Sequence, residues 1–80
     1  MAIHVETLHV GEYGMNCYLV VNTHTRELVI VDPGADAKRI ILAVGERKPA
    51  GVLLTHGHYD HIGAADEVCA HYGIPLYIHA

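Results

Sequence analysis

Residues 56–61 read His-Gly-His-Tyr-Asp-His, three imidazoles and a carboxylate in one short stretch. His56 and His58 stand two apart, so on an extended loop both rings reach the same side and can bind one ion. Gly57 between them carries no side chain and leaves the backbone free to curl. Asp60 and His61 follow at the entry of a helix, where they can face a second ion beside the first. Imidazole nitrogen with one carboxylate suits zinc, iron, manganese or nickel rather than calcium or magnesium. With eight histidines in the chain, clusters of histidine alone are unremarkable. The ordered pattern His-x-His-x-Asp-His arises by chance on the order of 0.4% of the time. The plain alternative makes Asp60 a helix N-cap and the histidines solvated loop residues. The two roles of Asp60 are compatible, because one carboxylate oxygen can ligate while the other caps.

The elements that must position this loop follow from hydrophobic periodicity. Residues 3–10 alternate, with Ile3, Val5 and Thr7 on one side and His4, Glu6 and Leu8 on the other. Residues 15–22 alternate likewise, with Met15, Cys17, Leu19 and Val21 sharing a face. Leu28-Val29-Ile30-Val31 is an apolar, β-branched run typical of a strand covered on both faces. The three strands predict an antiparallel meander. Asp32-Pro33-Gly34 then turns the chain. A helix follows with Asp36 as N-cap and Ala37, Ile40, Ile41 and Val44 as its apolar stripe. Lys38, Arg39 and Arg47 fall on or near its opposite face, and Pro49 stops it. Val52-Leu53-Leu54 predicts a short buried strand. Beyond the loop, a second helix spans 61–72 with Ile62, Ala65, Val68, Cys69 and Tyr72 facing the core. Gly73 and Pro75 end it, and Leu76-Tyr77-Ile78 opens another strand. The alternation from residue 28 onward implies parallel pairing with right-handed crossovers. In such sheets ligands gather at the carboxyl ends of the strands, where Asp32-Pro33-Gly34 and the loop from Thr55 to His61 both lie.

Composition bounds the rest. Eighty residues, 51% of them hydrophobic, make one small folded domain, with a core worth at most about 3–5 kcal/mol without a staple or metal. A net charge of -4 with five Lys and Arg argues against a nucleic-acid or anionic-membrane partner. No apolar run approaches the roughly 18 residues of a membrane span, and the N-terminus lacks the basic start and apolar block of a signal peptide. A cytoplasmic protein is expected. Cys17 and Cys69 both fall on apolar faces and read as core packing, with no disulfide. His4, His9, His24 and His71 read as solvated, and Asp66-Glu67 as a solvated helix face. Tyr59 either lines a pocket or packs.

The stretch Thr55-His56-Gly57-His58-Tyr59-Asp60-His61-Ile62-Gly63 resembles the signature of the metallo-β-lactamase superfamily. Val29-Ile30-Val31-Asp32-Pro33-Gly34 is similar to the family's upstream turn, and Asn16-Cys17-Tyr18-Leu19 to its early strand. The resemblance covers nearly all of this chain but only the first part of the family's domain. It implies a mixed α and β fold: the N-terminal portion of an αββα sandwich, with residues 1–80 as a single truncated domain. Carried over by position, His56 and His58 are ligands of a first metal, and Asp60 and His61 of a second, with Asp60 also catalytic. Asp32 is the nearby acid that orients ligands without binding metal. An Asp before Pro-Gly can equally cap its own turn.

The implied cofactor is zinc, one or two ions in the complete domain, with iron or manganese as alternatives. The implied activity is a hydrolase in which metal-bound hydroxide attacks a small-molecule thioester, ester or lactone. His61 directly after Asp60 favours the glyoxalase-II-like, lactonase-like and tRNA-processing branches over the lactamase branch, whose second site uses a Cys. The compact N-terminus points to small hydrolases resembling hydroxyacylglutathione hydrolase. Two alternatives stay open: a non-catalytic metal-binding module, and part of a mononuclear iron persulfide dioxygenase. The family's further ligands, a His, a bridging Asp and a final His, lie beyond its equivalent of residue 80, and His79 matches none of them. Two dications facing three neutral imidazoles and one carboxylate would keep a net charge of about +3. One ion held by His56, His58 and a further ligand is the better fit for this chain, which is expected to be inactive alone. Its exposed apolar helix faces and sheet edge could also support self-association.

Overall fold

The structure is a computed structural model that describes residues 2–11, 14–55 and 62–78. Seven elements follow one another: β1 (Ile3–Val10), β2 (Met15–Asn22), β3 (Glu27–Val31), α1 (Ala37–Val44), β4 (Lys48–Leu54), α2 (Ile62–Tyr72) and β5 (Leu76–Ile78). They build one five-stranded sheet in the order β1-β2-β3-β4-β5. β1, β2 and β3 pair antiparallel, and β3, β4 and β5 pair parallel. This is the expected mixed architecture, a meander followed by two crossover units.

Two successive right-handed crossovers in the same direction put both helices on one face of the sheet. Val10, Cys17, Leu19, Val21, Leu28, Ile30 and Val52 point to that face and are buried. Ala37, Ile40 and Val44 from α1 and Ala65 and Val68 from α2 complete the same cluster. The Tyr72 hydroxyl donates to the Ile41 carbonyl at 3.5 Å, tying α2 to α1.

The opposite face is also apolar, and neither helix covers it. Register aligns Thr7, Tyr18, Val31, Leu53 and Tyr77 in one row across all five strands. Val5, Val20, Val29 and Gly51 form the next row. Gly51 leaves room for the Tyr77 ring, since a Cβ there would stand 3.2 Å from Cε2. Ile3, Val5 and Tyr77 are 54%, 50% and 58% exposed. The apolar surface expected on helix faces and the sheet edge lies, among the described residues, at Leu42 of α1 and on the edge strands, at Ile3 and Val5 of β1 and Tyr77 and Ile78 of β5.

Four local expectations are corrected. Pro49 does not stop α1. The helix ends at Gly45, whose positive φ of 64° reverses the chain while its N–H bonds the Ile41 carbonyl. Pro49 instead sits inside β4, which starts at Lys48 rather than Val52. A bulge lets Leu28 pair with Pro49 and Val29 with Gly51, so the missing proline N–H falls at an irregular point of the ladder.

Asp36 occupies the N-cap position without capping. Its left-handed backbone, φ 55°, turns the carboxylate away from the helix, and Oδ2 accepts the Gly11 N–H at 2.9 Å. Arg39 donates to the His9 carbonyl at 2.6 Å, so the start of α1 is moored both to the end of β1 and to the turn that follows it.

Arg47 is not a solvent-face charge. It is half-buried and grips Glu6 of β1 with both Nη atoms, at 2.6 and 3.0 Å. It also donates to the Val44 and Ala43 carbonyls at the end of α1. A guanidinium fork matches this combination of a carboxylate and helix-end carbonyls.

Candidate functional site

The carboxyl ends of β3 and β4 lie side by side, and two described residues occupy them. Asp32 follows β3 directly and has a left-handed backbone, φ 54°. Its N–H donates to the Leu53 carbonyl at 2.9 Å, continuing the parallel ladder one step past β3. Its carbonyl accepts the Gly34 N–H at 2.8 Å, closing the turn over buried Pro33. The carboxylate reaches across to Thr55, the first residue after β4. Oδ1 accepts the Thr55 N–H at 2.7 Å, and Oδ2 accepts the Thr55 hydroxyl at 2.5 Å.

The Asp32 carboxylate makes a long-range contact with Thr55. It bonds a residue 23 positions away, at the root of the histidine loop. Sequence reading missed Thr55 itself. The residue types carried no signal, because its partner is known only once β3 and β4 are in register.

His56, His58, Asp60 and His61 lie outside the described residues, as do Gly57, Tyr59 and His79. The structure shows where their loop leaves the sheet, after Thr55, and where the chain resumes, at Ile62 of α2. Among the described residues no group of three or more His, Cys, Asp or Glu could hold a metal ion. His4, His9, His24 and His71 are all exposed and spread over the molecule. His4 lies 3.7 Å from Glu6, and His71 sets its ring edge-on to Tyr72 at 4.7 Å. The sequence between Thr55 and Ile62 carries three imidazoles and a carboxylate, residue types whose chemistry suits zinc or iron.

The two cysteines are free. Burial, and then the nearby Asp32 charge, push the Cys17 thiol up to about 12. Burial, and then Asp66, raise that of Cys69. Both shifts keep the thiols protonated at neutral pH in the metal-free chain. An open cleft of about 590 Å³ separates the start of α1 from α2, lined by Asp36, Lys38, Arg39 and Glu67 with Ala37 and Ala64. Its two acids and two bases favour neither sign of ligand.

Comparison with known proteins agrees with this geometry. Residues 10–80 match the family model described as the metallo-beta-lactamase superfamily. A Bacillus subtilis protein named probable metallo-hydrolase YqgX is 39% identical over 72 residues, which cover 88% of this chain and 33% of that protein. The hydroxyacylglutathione hydrolase GloC of Haemophilus influenzae is 34% identical over 77 residues, 94% of this chain and 36% of its own. The crystal structure of the BLEG-1 B3 metallo-beta-lactamase superposes with a TM-score of 0.85 at 38% identity, covering 96% of this chain and 37% of that one. The chain thus spans about a third of the length of the relatives it matches. The relative named a hydroxyacylglutathione hydrolase and the structure named a metallo-beta-lactamase are comparably identical, so identity alone does not assign the branch.

Proposed function

This chain belongs to the metallo-beta-lactamase superfamily, and from that premise we propose that it is the metal-loop portion of a zinc-dependent hydrolase. Membership of the family implies use of a divalent metal. His56 and His58 would hold one ion, and Asp60 and His61 a second, the latter two joined in the complete protein by ligands from beyond residue 80. When bound, zinc supplies an acidified water and polarises the electrophile. This chain's own part is to supply neutral imidazoles and one carboxylate, and to fix the loop that carries them between β4 and α2. The observation that carries the reading is the placement of that loop. It leaves the carboxyl end of β4 next to the Asp32 turn, the edge where parallel units gather ligands.

We assign the substrate to small thioesters, with esters and lactones as the neighbouring classes. The name of one relative, a hydroxyacylglutathione hydrolase, supports this choice. No helix among the described residues is long and apolar enough to cross a membrane. In the full-length protein, thioester hydrolysis requires added zinc and is abolished by a chelator. His56→Ala lowers kcat/KM by more than the roughly 10–100-fold typical of losing a ligand's orienting partner. Unchanged hydrolysis in His56→Ala defeats the proposal.

A further inference from the structure

We infer that α1 and the edge strand β1 latch each other, so that the two open together while β3 and β4 stay closed. β1 is the outermost strand, and among the described residues its neighbour in the sheet is β2 alone. Its hold on the core is confined to one end: Val10 is buried and Leu8 half-buried, whereas Ile3, His4 and Val5 are exposed. α1 is weak in a different way. Its eight residues fall short of the roughly 12–15 that a helix needs to persist in water by itself. Each element therefore relies on contacts outside itself.

The polar contacts run from one to the other. From the start of α1 to its end, Asp36 accepts the Gly11 N–H, Arg39 donates to the His9 carbonyl, and Arg47 grips Glu6. The partners fall in reverse order along β1 and its turn, so helix and strand lie antiparallel and are pinned at both ends. The lengths agree. α1 rises about 12 Å and the chain from Glu6 to Gly11 extends about 17 Å, a difference bridged by the flanking Asp36 and the long Arg47 side chain.

Both pins are also the places where α1 would be capped. At its start, the Asp36 side chain makes no bond to the helix and bonds Gly11 instead, so the usual stabilisation of an N-cap is diverted to β1. At its end, one guanidinium serves both elements. Nε and Nη2 donate to the Val44 and Ala43 carbonyls at 2.9 and 2.6 Å, while Nη1 and Nη2 hold the Glu6 carboxylate. Unwinding α1 therefore scatters every polar partner of β1 named above, and peeling β1 away removes the anchor of both helix ends. β3 lies between β2 and β4 in the sheet, and buried Leu28, Ile30 and Val52 hold the β3–β4 pair without these contacts. Such mutual dependence beside an independent core is the condition for a cooperative unit smaller than the whole fold.

The test is hydrogen–deuterium exchange of the full-length protein at pH 7, read on peptides from β1, α1, β3 and β4. Arg39→Ala removes the bond to His9 and places a residue of higher helix propensity in α1. Glu6→Gln removes the carboxylate from β1 and leaves Arg47 on the helix carbonyls. Each variant is expected to exchange about 3–10-fold faster in β1 and α1 alike, with β3 and β4 unchanged. Arg39 lies on α1 and Glu6 on β1, so an effect that reaches the other element is the signature of the latch. Exchange that rises only in the substituted element, or in neither, overturns it. Exchange that rises equally in all four elements overturns it too, because the chain then opens only as a whole.

Discussion

The two faces of the sheet are made from the same strands by alternate residues, yet they differ in what covers them. On one face Leu19, Leu28, Ile30 and Val52 are buried beneath two helices. On the other, Tyr18, Val20, Val29, Val31 and Leu53 are only half-buried, and the rows end in exposed Val5 and Tyr77. Side-chain hydrophobicity barely distinguishes the two. What separates them is the hand of the crossovers, which sends α1 and α2 to the same side. A strand of mixed burial can therefore read as fully apolar, as Leu28-Val29-Ile30-Val31 does.

The sharpest way to break the comparison is a deletion under the helices. Ile30→Ala should cost about 2–5 kcal/mol, as much as the whole stability of a domain this small. The 80-residue chain should then be unfolded at 25 °C, read by far-ultraviolet circular dichroism. A folded Ile30→Ala chain would mean that the helices contribute little to the core.

An intermediate effect is expected at the rim of the covered face, where Arg47 joins Glu6 to the end of α1. The hydrogen bond from Arg47 holds the Glu6 carboxyl below its ordinary value, the more so with the Arg47 and His4 charges nearby and despite opposing desolvation. A carboxylate whose folded pKa is depressed binds fewer protons in the folded state. Its contribution is present above the unfolded value of about 4.5 and is lost as pH falls below it through the folded value. Both groups are partly exposed, so Glu6→Gln should cost about 1 kcal/mol at pH 7. Urea melts of Glu6→Gln and wild type should converge as pH drops below 4.5. A gap independent of pH would remove the ion pair from the account.

The smallest effect belongs to the open face. Val5 is already 50% exposed, and Val5→Thr should change stability by less than about 0.5 kcal/mol in the same melts. A loss approaching that of a buried deletion would mean that this face is covered in solution.

Much of the fold was legible because it depends on short-range periodicity. The alternation of β1 and β2, the apolar stripe Ala37-Ile40-Val44, and Gly73 with Pro75 after α2 all act within a few residues of themselves. The misreadings share a cause. Arg47, Asp36 and Pro49 were assigned by their nearest sequence neighbours, but their roles come from distant ones. Glu6 lies 41 positions from Arg47, and Gly11 lies 25 from Asp36. Pro49 is accommodated by a bulge that exists only once β4 pairs with β3.

The candidate site divides in the same way. The donor set His56, His58, Asp60 and His61 is carried by residue type and spacing, since metal chemistry depends on ligand identity. Its anchor is carried by register: Thr55 meets Asp32 only because β3 and β4 pair in parallel with Val31 opposite Leu53. Residue order by itself thus determined the family, the elements and the available ligands, all of which depend on local pattern. Tertiary structure alone decided which sheet face is covered, where Arg47 and Asp36 point, and what holds the root of the metal loop. Each of those depends on hydrogen bonds or packing between residues far apart in the chain, which no local pattern encodes.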